Sequence, residues 1–294
     1  MLLIVGGSQD HNLARLANAA KWRGHPYRVI HTDKDPAPAV SWQPGSPDIT
    51  IDGETFSAKG TSLFMRYDVF SDKDGRQKAA YFDAFRGWAE ANPAVGLLNR
   101  RNEMMEMNKP RALVWAKEAG FDTPETHITT EFNRFADKSK YIAKPVAGGE
   151  YTRELSDMDD SGGRPWIVQE KLKYPELRLF RVGEHFFAFE IDSAVIDYRT
   201  DKKFTMKEVE APSELVSAMR LLTERMGLDY AASDLKSDPV TGKLKFMEVN
   251  TMPMFTGYDD AARGKLSDAM LLALRRFERL AELKDVLKAA APKP

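Results

Sequence analysis

The chain has 294 residues, enough for a substantial core and for two or three lobes rather than one, and its 43% hydrophobic and 30% charged residues are ordinary globular composition. Its 43 basic against 44 acidic residues leave no basic footprint of the kind that nucleic-acid or membrane-surface binding needs. The absence of cysteine excludes disulfides, thiolate metal sites and a cysteine nucleophile. No run approaches the roughly 18 apolar residues of a membrane span. The opening MLLIVGGSQDHN has a short apolar run without a basic n-region, so it reads as a first strand, and a cytoplasmic location is the expectation.

In chain order, Leu2 to Val5 reads as a strand, Gly6 to Asn12 as a loop, Leu13 to Arg23 as a helix and Pro26 to His31 as a second strand, a βαβ opening. The Gly6-Gly7-Ser8 turn lacks the G-x-G-x-x-G spacing of a phosphate loop, and His11 beside it reads as a surface loop histidine. Asp48 to Ile51 is a strand before an Asp52-Gly53 turn. Ser62 to Val69 is another strand, and its charged residues Arg66 and Asp68 are expected to pair with each other. Arg76 to Ala91 is a helix with Phe82, Phe85 and Trp88 on one face, broken by Pro93 and Gly96. Val95 to Asn99 is a short strand, and a first lobe ends near residue 100. Asn102 to Met107 and Arg111 to Ala119 are expected helical, the second stopped by Gly120.

From Thr126 the pattern turns to short strands: His127 to Thr129, Tyr141 to Lys144, Trp166 to Gln169, Leu177 to Val182 and His185 to Ile191, with Asp157 to Arg164 as a polar loop. Pro212 to Met226 is a helix ended by Gly227. Asp229 to Lys236 and Lys243 to Asn250 then form a hairpin around a Ser, Asp, Pro, Thr and Gly turn. Side chains alternate along a strand, so Glu248 and Asn250 point the same way, and they face whatever Asp234 faces if the register is even. Two carboxylates and an amide oxygen with no His or Cys suit magnesium; a half-exposed hairpin with a polar outer face fits the same residues. Asp259 to Lys288 reads as a long amphipathic helix or a pair, before a frayed tail.

Lys144 closes the apolar strand YIAKP ahead of Ala147-Gly148-Gly149, where it can neutralise phosphates under a side-chain-free loop or simply extend to solvent. The order of motifs carries more than any one of them: Asn108-Lys109, Lys144-Pro145 and a glycine loop, Gln169-Glu170-Lys171-Leu172, Glu176-Leu177-Arg178, Asp234, then Glu248-Val249-Asn250. Over about residues 97 to 260 this order resembles the ATP-grasp ligase superfamily. The run ELRLFRVGEHFFAFEIDS followed by Asp197-Tyr198-Arg199 is most similar to the branch of the graspetide (microviridin-type) peptide ligases and the ribosomal-protein glutamate ligases.

The resemblance implies an α/β protein of the ATP-grasp fold, with an N-terminal βαβ lobe at 1–100, a central lobe at 101–172 and a C-terminal lobe at 173–294 carrying the metal site and the terminal helices. It implies ATP and Mg2+ as cofactors. Lys109 and Lys144 would contact phosphates with Gly148 and Gly149 in the loop over them, Gln169 would belong to the nucleotide-binding set, the backbone of Glu170 to Leu172 would meet the adenine edge, and Glu176 would hold the ribose. Asp234, Glu248 and Asn250 would hold magnesium, with Arg178 and Arg199 steadying the transferred phosphoryl group. The implied activity is ADP-forming carboxylate-amine or carboxylate-hydroxyl ligation through an acyl phosphate on a peptide or amino-acid-derived substrate; a homodimer is left open. A ligase of small free amino acids, an ATP-grasp kinase and a non-catalytic ATP-binding module are the alternatives. Two features depart from the pattern: the loop AGGEYTREL lacks a longer glycine run, and Thr251-Met252-Pro253-Met254 lacks the Asn-x-x-Pro-Gly of amino-acid ligases.

Overall fold

The computed structural model describes residues 1–102, 108–147, 151–193 and 203–276. The expected helix from Asn102 to Met107, the loop glycines Gly148 and Gly149, the Asp197-Tyr198-Arg199 run and the chain beyond residue 276 lie wholly or mostly outside the described residues. Two compact units divide the chain: Met1–Arg100 with Val182–Glu184 and the segment from Met254 onward, and Arg101–Arg181 with His185–Pro253.

In the first unit the apolar run after Met1 becomes β1 (Leu2–Gly6), which lies parallel to β2 (Tyr27–His31) across helix α1 (His11–Trp22). Asp10 caps α1 by accepting from the Asn12 backbone N–H at 2.9 Å. A three-stranded antiparallel sheet, β3 (Val40–Trp42), β4 (Asp48–Ile51) and β5 (Glu54–Ser57), turns at Asp52 and Gly53, with φ of 49° and 81°. Asp-Gly is the pair that tolerates two positive φ values in succession. β6 (Ser62–Met65), helix α2 (Gly75–Ala91) and β7 (Gly96–Leu97) complete a parallel sheet of order β2-β1-β6-β7.

Arg66 and Asp68 do not form the expected pair. β6 ends at Met65, so both residues belong to the loop beyond it, where the Arg66 Nε reaches the α1 cap Asp10 at 2.5 Å. Asp68 accepts from the Phe70 and Ser71 backbone N–H groups at 3.1 and 3.0 Å. Burial alone would raise its pKa, but hydrogen bonds from Ser71 and Phe70 and the charge of Lys78 hold it below the usual carboxylate range. A Cβ on Gly7 would sit 2.4 Å from the Asp68 Oδ1, so this glycine turn packs against a carboxylate, the opposite of a phosphate cradle.

The segment from Met254 onward belongs to the same compact unit as the first hundred residues. The reason is local: Asn12 Oδ1 accepts from the Phe255 N–H, the Thr256 N–H and the Thr256 hydroxyl at 2.8, 3.2 and 3.0 Å, and Arg15 Nε meets Asp259 Oδ2 at 2.6 Å. The segment's described residues form two helices, Thr256–Ala261 and one over 265–276.

In the second unit helix α3 (Lys109–Glu118) starts at Asn108, whose Oδ1 accepts from the Arg111 N–H at 2.9 Å. Asn108→Ala should lower stability by about 1 kcal/mol, read from the denaturant midpoint at constant slope; an unchanged midpoint would show that the cap contributes nothing. An antiparallel sheet follows, of β8 (Thr126–Thr129), β9 (Tyr141–Pro145), β10 (Arg153–Glu154) and β11 (Trp166–Glu170), in the order β10-β9-β11-β8. A second sheet joins β12 (Lys173–Val182), β13 (His185–Asp192) and β14 (Thr205–Val209) to β15 (Tyr230–Ser237) and β16 (Leu244–Asn250), with helix α4 (Ser213–Arg225) between β14 and β15 in sequence. One face of this sheet packs Leu179, Leu235, Phe246 and Val249 against α3 and α4 through Ala116, Met219 and Leu222.

Candidate functional site

Each sheet of the second unit has one face committed to a core, which leaves the other face for polar residues. In the first sheet Ala143, Trp166 and Val168 enter an aromatic cluster with Phe132 and Phe135. By alternation the residues between them point the other way, and the register sets Lys144 beside Ile167 and Gln169 beside Ile142 and Thr126. Lys144, Ile142, Ile167 and Gln169 are all buried, so a lysine and an amide stand over an apolar floor.

In the second sheet Asp234 lies directly opposite Glu248, and Asn250 opposite Ala232 one step further along. The expected convergence is present, but strict alternation does not produce it. Phe246 and Val249 both enter the core although they are three residues apart, because the ladder shifts between Asp234 and Leu235 and Met247 is an extra residue on β16. This β-bulge lets Phe246 point into the core while Glu248 and Asn250 keep to the opposite face with Asp234. Asp234 Oδ1 accepts from Arg178 at 2.6 Å and its Oδ2 from Asn250 Nδ2 at 3.2 Å.

Electrostatics ties the two faces together. The Lys144 pKa falls from 10.5 to about 8, chiefly because burial penalises its charge; Glu248 and Asp234 pull it up, while Lys109 and Lys236 push it down. Glu176, beside Lys236 at 3.5 Å, is pushed up to about 7 by burial and then by the charge of Asp234, against Lys236 and Arg178. Lys109, Lys144, Glu176, Arg178, Asp234, Glu248 and Asn250 are therefore brought together, and Lys236, which the sequence did not single out, belongs with them.

The segment from Glu170 to Leu172 links the sheets. The Glu170 N–H donates to the Glu125 carbonyl at 3.1 Å and the Lys171 N–H to the Lys140 carbonyl at 2.7 Å. The Glu170 carboxylate accepts from Lys245 at 2.5 Å, and Lys245 also meets Asp238 at 2.7 Å, which with backbone N–H bonds holds Asp238 below the usual range. Leu172 is half-buried. Gly148, Gly149 and Arg199 lie outside the described residues.

Whether this chemistry fits a nucleotide and a metal can be tested on the residues present. The Thr126 hydroxyl lies 2.8 Å from the Pro124 carbonyl, which can only accept, so the single hydroxyl proton goes there. Thr126 Oγ1 must then accept from Gln169 Nε2 at 3.0 Å, which turns Gln169 Oε1 outward, buried and without a partner. A buried orphan acceptor needs a ligand with a donor, such as an exocyclic amino group. For the metal, two carboxylates and one amide oxygen form a hard-oxygen set of the magnesium type. Among the described residues no three His, Cys, Asp or Glu side chains are arranged to hold a metal ion, so the amide oxygen of Asn250 would be needed to complete the set. No described helix is long and apolar enough to cross a membrane.

No family model matches the chain, and no curated protein matches it. Solved structures do. An ATP-grasp ligase, PsnB, complexed with a minimal precursor, Mg and ADP, is 23% identical, with 93% of this chain and 98% of that one covered at a TM-score of 0.68. The macrocyclase MdnC bound with its precursor peptide MdnA, from Microcystis aeruginosa, is 20% identical over 94% and 99% of the two chains at 0.73. The VanG D-Ala:D-Ser ligase from Enterococcus faecalis is 16% identical over 94% and 98% at 0.60. Agreement across nearly the full length of all three shows that this chain has the ATP-grasp fold.

Proposed function

We propose that the protein is an ADP-forming carboxylate ligase that activates a carboxylate of a peptide substrate and joins it to an amine or a hydroxyl. The observation that carries this reading is the placement of Asp234 opposite Glu248 and hydrogen-bonded to Asn250, together with a lysine, Lys144, buried over an apolar floor and under the charge of both carboxylates. The engaged N–H groups of Glu170 and Lys171 leave the Leu172 N–H and the segment's carbonyls for the adenine edge, while Gln169 Oε1 accepts from the amino group. Glu176 takes the ribose hydroxyls, and Lys109 and Lys144 neutralise phosphate charge, under Gly148 and Gly149.

Asp234, Glu248 and Asn250 would hold magnesium, which when bound offsets the negative charge that builds up between phosphates. The substrate carboxylate oxygen attacks the γ-phosphorus, the bond to the β-phosphate oxygen breaks, and ADP leaves with the electron pair. Arg178 and Arg199 stabilise the transferring group. The nucleophile then adds to the acyl carbon of the acyl phosphate, loses its proton, and inorganic phosphate departs. A peptide is preferred over a free amino acid because Thr251-Met252-Pro253-Met254 departs from the amino-acid ligase pattern, and because PsnB and MdnC were captured with precursor peptides.

The test is incubation with ATP, Mg2+ and two substrate pools, acidic peptides bearing Lys, Ser or Thr, and free amino acids, with ADP release and product mass as readouts. Peptide-dependent ADP release with loss of one water from the peptide is expected. Release with free amino acids alone would move the assignment to a small-molecule ligase. ATP binding without turnover in either pool would leave a nucleotide-binding module.

A further inference from the structure

The face that carries Lys144 holds a second buried acceptor. β10 pairs with β9 so that Glu154 lies opposite Ile142, which in turn lies opposite Gln169. Directly opposed residues share a face, so Glu154, Ile142, Gln169 and Thr126 form one row across all four strands, pointing away from the aromatic core. Arg153 confirms the parity, because it stands opposite Ala143 of that core and lies over the Trp166 ring. Strand spacing puts the Glu154 and Gln169 backbones roughly 10 Å apart, with Ile142 as the apolar floor between them.

The Glu154 carboxylate is divided in its duties. Its Oε1 forms an ion pair with Lys171, the residue next to Glu170 in the linking segment. Its Oε2 is buried with no hydrogen-bond partner, as is Gln169 Oε1. An isolated buried acceptor costs free energy, and two in one row, on a face that otherwise offers isoleucines and a lysine, call for a ligand that supplies donors to both.

We infer that Glu154 is a specificity-determining residue of the nucleotide site, reading the exocyclic amino group of adenine together with Gln169; this rests on the ATP reading above. A purine with a 6-amino group brings two N–H donors to this row. One with a 6-oxo group brings an acceptor, which would oppose a fixed carboxylate oxygen and a fixed amide oxygen. Lys171 holds the carboxylate in place through its ion pair, so it is a positioning residue in this scheme.

The experiment compares binding of ATP and ITP, each with Mg2+, to the full chain. Wild type should favour ATP by 100-fold or more. Glu154→Gln, which keeps the shape but can present an amide donor to a 6-oxo group, should cut that preference by about 10- to 100-fold, mostly through weaker ATP binding. Lys171→Met, which removes the ion pair but not the acceptor, loosens the carboxylate and should narrow the preference by less than Glu154→Gln does. Equal weakening of ATP and ITP by Glu154→Gln, or a preference within threefold of wild type, would overturn the inference, since a purely structural carboxylate predicts that result. Should Glu154→Gln fail to fold, Glu154→Asp draws the acceptor back by one methylene and should narrow the same preference. A wild type that binds neither nucleotide would overturn this inference and the ATP reading together; one that binds ATP with no dependence on Glu154 would overturn this inference alone.

Discussion

Glu248→Gln is expected to lower peptide-dependent ADP release by about 10^2- to 10^3-fold at saturating ATP while leaving the melting temperature nearly unchanged. The residue is half-buried and has no hydrogen bond or ion pair among the described residues, so its removal breaks no native contact. What it does in the folded chain is electrostatic: it raises the pKa of Lys144 across the site. Its place directly opposite Asp234 suits a metal ligand, and neutralising it removes half of the carboxylate charge at the proposed magnesium position. A variant with turnover within threefold of wild type and an unshifted magnesium requirement would end the assignment. A large loss of folded protein would mean that the site's charges are structural.

Lys144→Met should separate stability from function in opposite directions. The lysine is 8% exposed, and its pKa is lowered from 10.5 to about 8. In the folded chain its charge is therefore disfavoured, and between about pH 8 and pH 10.5 the unfolded chain binds the extra proton. Stability from this group accordingly rises with pH across that window; the full cost, about 3 kcal/mol at most, is present at pH 7 where both states are protonated. The methionine variant should melt higher than wild type at pH 7, and the gap should close as pH rises toward 10. Nucleotide binding should go the other way. ADP affinity of wild type should weaken by up to tenfold per pH unit above about pH 8, as the unliganded lysine loses its proton, and Lys144→Met should bind weakly at every pH. Calorimetric melting and ADP titration from pH 7 to 10 check both halves. A gap that does not change with pH would show that the lysine's burial is not what sets its charge.

The relation between the two variants is physical. A functional site that gathers Lys109, Lys144 and Lys236 near Asp234, Glu176 and Glu248 costs stability where burial disfavours a charge, as it does at Lys144, a common trade at binding sites. Glu176 shows the same tension from the acid side, its carboxyl pushed up to about 7 by burial and a neighbouring carboxylate.

What the sequence determined by itself was whatever depends on residues near one another in the chain. The βαβ opening, the Asp52-Gly53 turn, the helix from Ser213 and the strand of YIAKP all follow from local periodicity and turn chemistry. The placement of Asp234 opposite Glu248 was legible only on the condition of an even register, and the bulge at Met247 is what supplies it. The strands Val40–Trp42, Glu54–Ser57, Arg153–Glu154 and Thr205–Val209 were not legible, being too short for a period to show. Tertiary structure alone decided the rest. The Met247 bulge is a compromise between a core that wants Phe246 and a site that wants Glu248, and neither demand is visible along one strand. Arg66 chose Asp10 over Asp68 because β6 ended before it. Glu154, Lys236 and Lys245 acquired their neighbours only when separate strands came together, since hydrogen-bond partners and desolvation are set by contacts between residues far apart in the chain, on which local periodicity carries no information.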